Sequence, residues 1–439
     1  MKALSLRDAV GESVLTHDVA LPADRIAADF AARYAGVPAT SVSRSEPTVR
    51  YTATGHRIPV LLGMYGDEDR VRSWLPGLPE RSTVDAVAKL TSGRIAPEHV
   101  TSVPCQQKVS ALAKLPVLRA TPRDAGPFLT MGLVHAGEAL SVHRMLVLDD
   151  SRLAIWMVPG RQLLALYQQS GRLPVSINIG VPPAALVASA LSSAVLPAGA
   201  TKLELAGALA GAPIRVADGV TQPVRVLADS EIVLEGYLDG TLADEPPPVS
   251  LPEFLGYDGD SRAGLPVITV TAVTTRRAPA YQAVIGPGRE QSVILGLAGA
   301  LSVALSGTDD DWRLIDDLHF TPAGGGMLTL AVAIRKTSST SDERLAHIAR
   351  RIFTQHRFVK LIVFTDPDVN LRNPEDVWWA VTTRSNLGTD CTTSDGFRPL
   401  SMDPSQAADW RGGRGGTTRT FIDATTPFAL SATTCRSFR

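Results

Sequence analysis

Arg144 lies in the run Ser141-Val-His-Arg-Met-Leu-Val-Leu-Asp-Asp150, with Val142, Met145, Leu146 and Val147 as apolar neighbours. A guanidinium does not lose its proton in a protein, so on such a strand it needs a carboxylate or an anionic ligand. Three carboxylates are candidates: Glu231 and Glu235 in Ser230-Glu-Ile-Val-Leu-Glu-Gly236, and Glu253 in Glu253-Phe-Leu-Gly-Tyr257. Glu253 is set in an apolar, glycine-containing turn, where a carboxylate is costly without a cationic partner or a chemical role. An Arg–Glu couple that holds a substrate carboxylate beside a proton donor is a workable acid–base site. The same residues would serve equally as a structural salt bridge at a barrel rim, and composition and spacing leave both open. His143 should point to the opposite face of the strand from Arg144.

These residues sit in the most strand-rich part of the chain. Ile232 and Leu234 alternate with Glu231, Val233 and Glu235, the period-two pattern of a half-buried strand. From about 115 to 290 the strand-like runs SVHRMLVLDD, RLAIWMVPG, LPVSINIGV, TKLELAG, PIRVA, SEIVLEGYL and VITVTAVTTR are punctuated by Gly, Pro and Asp, as in a β-barrel or sandwich. Helical patterns are inserted at GRQLLALYQQSG and PPAALVASALSSA. The first 110 or so residues mix amphipathic helical patterns with short apolar strands, and residues 310–430 return to α/β alternation. Arg411-Gly-Gly-Arg-Gly-Gly416 reads as a surface loop, and Gly324-Gly325-Gly326 as a turn, since neither has phosphate-loop spacing.

Composition narrows the function classes. The 439 residues are 44% hydrophobic and 20% charged, with formal net charge −1, which gives no support for nucleic-acid or anionic-membrane binding. Aromatic residues make up 5%, too few for base-stacking platforms. Cys105, Cys391 and Cys435 are scattered, which argues against a disulfide framework or a structural zinc site. The N-terminal run MKALSLRDAVGE lacks a signal-peptide core, and the apolar run from Val293 to Leu305 is too short for the roughly 20 residues a bilayer requires. A cytoplasmic protein is expected.

Four separated segments resemble the UbiD-type decarboxylases, the family of ubiquinone-pathway and ferulic-acid decarboxylases. They are Leu115-Pro-Val-Leu followed by Arg123-Asp-Ala-Gly-Pro-Phe-Leu-Thr130; Ile179-Gly-Val-Pro-Pro-Ala184; Glu204-Leu-Ala-Gly-Ala-Leu-Ala-Gly211; and Ser230 to Gly236. Phe364-Thr-Asp-Pro-Asp-Val-Asn370 with Trp379-Ala380, and Ile422-Asp-Ala-Thr425 with Pro427, are similar to the family's C-terminal signatures. The resemblance implies an α+β and α/β multidomain chain: an N-terminal α/β domain over 1–112, a central split β-barrel of flavin-reductase type over 113–306, and a C-terminal α/β domain with an oligomerisation tail over 307–439. It also implies a homodimer or higher homo-oligomer, and a non-oxidative decarboxylase that uses prenylated FMN from a flavin prenyltransferase to remove CO2 from an α,β-unsaturated or aromatic acid.

Carried over by residue, Arg144 matches the family arginine that orients the substrate carboxylate, and Glu253 the glutamate taken as proton donor. The family's other network glutamate falls on Pro248. Asp244 and Glu245 lie upstream of a triple proline and are not expected to replace it. The family's divalent metal, held by Asn, His and Glu, meets Ala139, Gln162 and Lys202 here, none of which is a good ligand for a hard cation. No metal is therefore expected. Lys202, helped by Gln162, would bind the flavin phosphate directly, with Ser141, Val142, His143 and Ser189 around the cofactor. Asp366, Asp368 and Asp376 are expected to be turn and cap residues. A member that has lost the reaction and acts as a scaffold, or one that runs different chemistry with FMN or without a cofactor, fits the same departures.

Overall fold

The computed structural model of the chain describes residues 3–11, 14–34, 45–286, 288–400, 402–410, 412 and 415–437. Residues 411, 413 and 414 of the glycine-rich run lie outside them. The chain forms two compact units, one of Met1–Leu78 with Gly93–Ile294, the other of Pro79–Ser92 with Leu295–Arg439. Among the described residues no helix is long and apolar enough to cross a membrane.

The first unit is built on six antiparallel strands closed into a barrel. In chain order they are Phe128–Ala136, Ala139–Val147, Arg152–Ile155, Leu173–Ile179, Ile232–Ala243 and Leu265–Thr275. Ile232–Ala243 pairs with Leu173–Ile179 on one side and Leu265–Thr275 on the other, which closes the ring and leaves no free edge between them. One face of every strand enters a single apolar core, through Leu129, Met145, Ile155, Ile177, Leu234 and Ile268 among others. A smaller four-stranded sheet, in the order Leu15–His17, Val49–Tyr51, Val60–Leu62 and Tyr281–Gln282, belongs to the same unit. Helix Ala23–Arg33 buries Ile26, Ala27 and Phe30, one stripe at helical spacing.

Two sequence readings change here. The segment Ser230–Gly236 is not half-buried: Glu231, Val233 and Glu235 are as buried as Ile232 and Leu234. Val233 packs with Cys105, Ala217 and Val226, a second layer over the outside of the barrel. The run TKLELAG is a helix, Lys202–Ala210. Thr201 accepts from the Glu204 amide while the Glu204 carboxylate accepts from the Thr201 amide, and Gly211 ends the helix at φ 61°. That reciprocal cap satisfies two orphan helix donors, so Thr-x-x-Glu outweighs the local alternation.

The second unit carries a five-stranded sheet ordered Ile315–Phe320, Thr329–Ile334, Leu361–Thr365, Arg419–Ala424 and Cys391–Ser394, whose three middle strands are parallel. Helices Thr340–Gln355 and Pro374–Arg384 belong to it. Arg384 binds both Asp366 and Asp368, and Asp376 accepts from the Asn370 amide, so these aspartates hold a turn together.

Candidate active site

The strand Ala139–Val147 presents Val142 and Arg144 on one face and Ser141 and His143 on the other. Burial pulls the Arg144 guanidinium below its usual pKa, opposed by Glu245 and then Glu253, while Arg262 adds to the depression. The Nη1 group donates to Glu245 Oε1 at 3.1 Å and to the Ser250 hydroxyl. Nη2 is buried and has no hydrogen-bond partner among the described residues. The guanidinium is thus fixed along one edge, with donors on the other edge unused.

Glu245 is the carboxylate that sequence reasoning set aside. Its side chain is 1% exposed, and its Oε2 accepts from the Arg262 amide at 3.0 Å. The sequence carried one clue, an acidic pair directly ahead of the Pro run at the end of a long strand. A register shift between Leu238 and Leu242 precedes it, and no residue count anticipates that shift. Pro248 holds the motif position, but Glu245 reaches Arg144.

The other sequence candidates are occupied elsewhere. Glu231 is bound by Arg7 and Arg276, and by the Ala280 amide. Glu235 accepts from the amides of Val220, Thr221 and Gln222 and so fixes that loop. Both are structural.

Glu253 lies in the turn between strands Val249–Pro252 and Asp258–Asp260, closed by the Gly256 amide to the Glu253 carbonyl, with Gly256 at φ 91°. That left-handed conformation suits glycine. The carboxylate does not touch Arg144. Its ionic neighbour is Arg262, whose Nη2 is 3.6 Å from Oε1 and whose guanidinium lies 4.1 Å over the Trp156 ring. Arg262 was not anticipated from the sequence, since a lone arginine in a loop carries no spacing signal.

A second polar cluster surrounds Lys202, the first residue of its helix. The side chain is buried, and Nζ donates to the carbonyls of Ser189 at 2.7 Å and Leu140 at 3.0 Å. Burial, and then the nearby Arg161 guanidinium, pull its pKa down to about 7. His143 is held down to about 4, chiefly by burial; its ring nitrogens meet the Trp156 carbonyl and the Ser141 hydroxyl. Gln162 accepts from Ser193 at 3.4 Å, and the Ser189 hydroxyl turns inward to the Leu186 carbonyl. A cavity of about 710 Å³ opens beside Lys202, between the Gly137–Glu138 turn and the 218–225 loop.

Two of the three Lys202 donors go to carbonyls, and the third, beside the Arg161 guanidinium, fits an anion such as a phosphate. Ala139, Gln162 and Lys202 do not fit a divalent cation, because none supplies a carboxylate or an imidazole. Of the expected cofactor residues, Ser141, His143 and Ser189 join Lys202 in this cluster, whereas Val142 lies on the Arg144 face and Gln162 meets Ser193.

The family described as 3-octaprenyl-4-hydroxybenzoate carboxy-lyase Rift-related domain matches residues 98–290, and the corresponding C-terminal domain matches residues 301–424. Gallate decarboxylase of Lactiplantibacillus plantarum is 30% identical over 330 residues, 71% of this chain and 67% of that protein. Anhydromevalonate phosphate decarboxylase of Methanosarcina mazei is 29% identical over 394 residues, 86% of this chain and 87% of that protein. The apo structure of a 3,4-dihydroxybenzoic acid decarboxylase from Enterobacter cloacae superimposes with TM-score 0.87 at 28% identity, covering 99% of this chain and 96% of that one. The UbiD-class enzyme HmfF from Pelotomaculum thermopropionicum, solved with FMN, gives TM-score 0.84 at 25% identity, covering 99% and 97%.

Proposed function

Because this chain belongs to the UbiD family of carboxy-lyases, we propose that it decarboxylates an α,β-unsaturated or aromatic acid, with Arg144 and Glu253 as the reacting pair and a flavin held by Lys202. The observation that carries this reading is the half-used guanidinium: Glu245 and Ser250 fix Nη1, and the buried Nη2 is left to donate to a substrate carboxylate. Leaving a buried charged donor unpaired is costly, so a site that keeps one has a ligand for it. The substrate's bond to its carboxylate breaks, CO2 leaves Arg144, and the carbon that kept the electron pair takes the proton of Glu253. Prenylated FMN, when bound, supplies the electron sink that C–C cleavage requires.

Lys202 takes the place of a metal toward the flavin phosphate. Exchanging a glutamate ligand for lysine adds two units of positive charge, comparable to the lost cation, and an ammonium is a competent point-charge partner for phosphate. Arg161 adds a second positive charge nearby, as its effect on Lys202 indicates. Residues 1–112, 113–306 and 307–439 would serve as the three domains of a homo-oligomer.

The test is expression alongside a flavin prenyltransferase, followed by CO2 release from a panel that includes gallate, 3,4-dihydroxybenzoate and cinnamate-type acids. Turnover that disappears in Arg144→Met with flavin still bound supports the reading. A flavin-loaded protein that retains turnover in that variant refutes it.

A further inference from the structure

We infer that Arg262 is a specificity-determining residue that receives a second oxyanion on the substrate, so that the acid this enzyme decarboxylates best is a dianion. The inference rests on the reading of Arg144 as carboxylate anchor and Glu253 as proton donor, and goes beyond it in naming the substrate class.

Arg262 belongs to the same cluster as Arg144 without duplicating it. Its amide binds the Glu245 carboxylate that fixes Arg144, and its guanidinium carbon lies 4.1 Å over the ring of Trp156, whose own amide donates to the Arg144 carbonyl at 3.5 Å. The cation–π contact anchors the guanidinium and consumes none of its N–H groups, which are left for an acceptor. Nε is buried and has no hydrogen-bond partner among the described residues. The carboxylate it reaches, Glu253, is 3.6 Å away, an ion pair but beyond hydrogen-bond length.

Local pairing then points to the ligand. With both glutamates ionised, two guanidiniums face two carboxylates. A proton donor must carry its proton, and when Glu253 does so Arg262 loses that ionic partner. Glu245 is held by Arg144 and by the Arg262 amide, so its Oε atoms are engaged. A carboxylate, phosphate or phenolate elsewhere on the substrate gives Arg262 an anionic partner in place of Glu253. The departing carboxylate meanwhile shares Arg144 with Glu245, and that shared cation leaves it free to depart as neutral CO2.

The experiment measures dissociation constants calorimetrically on enzyme co-expressed with a flavin prenyltransferase. Matched probes are benzoate against terephthalate, cinnamate against 4-carboxycinnamate, and crotonate against fumarate. Wild type is expected to prefer the diacid in at least one pair. Arg262→Met should cut that diacid-to-monoacid preference about tenfold to a hundredfold, the size of one hydrogen bond to a charged group. Arg262→Lys should restore part of it, and retained flavin absorbance checks that the site is intact. Equal affinities in all pairs, absent binding of every diacid, or a preference that survives Arg262→Met overturns the inference. Arg144→Met separates the underlying reading: if it spares monoacid binding, the anchor assignment fails whatever Arg262 does.

Discussion

Flavin binding by this protein should take up a proton, because the cation that meets the phosphate is neutral through much of the alkaline range. Burial and Arg161 bring Lys202 from 10.5 to about 7 in the flavin-free protein. At pH 9 roughly a hundred molecules would be neutral for each one charged. A flavin phosphate is dianionic above its second pKa, near 6, and so stabilises the ammonium. The apparent Kd for FMN should therefore rise toward tenfold per pH unit above about 7, a weakening of roughly 25-fold between pH 7.5 and 9. His143 does not interfere, since it is already neutral, held to about 4. Titration of flavin-free protein with FMN in two buffers of different ionisation enthalpy counts the protons directly. Lys202→Met should flatten the pH profile, and Lys202→Glu should nearly abolish retention. No proton uptake between pH 7.5 and 9, or an unchanged profile in Lys202→Met, would refute the reasoning.

Other consequences follow from the same geometry. Glu245→Ala strips a buried guanidinium of its partner and should destabilise the protein by about 3–5 kcal/mol in urea unfolding, with Glu245→Gln intermediate; a change within error would mean that Arg144 does not depend on it. Glu253→Gln should lower kcat about 10²- to 10⁴-fold while flavin content stays constant, and full activity would remove it as the acid. The flavin-free protein should gain stability as pH rises from about 7 toward 10.5, because over that window the unfolded chain binds a proton at Lys202 that the folded chain lacks; thermal melts across the window should lose this slope in Lys202→Met. Gly180→Ala should cost at least about 1–2 kcal/mol, since Gly180 sits at φ 67° and an added Cβ would lie 2.7 Å from the Glu231 side chain; an unchanged melting temperature would show that this turn yields.

The barrel was legible because its strands are long and apolar at period two, and the family resemblance supplied their order. Lys202 stood out because a charge reversal at a fixed register is visible without coordinates. What escaped was set by three-dimensional routes. Glu245 reaches Arg144 through an irregular strand end that motif spacing had assigned to Pro248. The burial of Glu231 and Glu235 depends on loops packed over the outside of the barrel, which period-two patterning does not register. Arg262 joins the site through a stack on Trp156 more than a hundred residues earlier in the chain. The helix at Lys202 was recoverable, since Thr201-x-x-Glu204 is a start signal that outweighs a short alternating run.

Whether a lysine has taken over the work of a metal is best decided by elemental analysis and mass spectrometry of catalytically active protein purified after co-expression with a flavin prenyltransferase. One flavin per chain, no stoichiometric divalent metal, and CO2 release that survives exhaustive chelation are predicted. Stoichiometric manganese whose removal abolishes turnover would contradict the account.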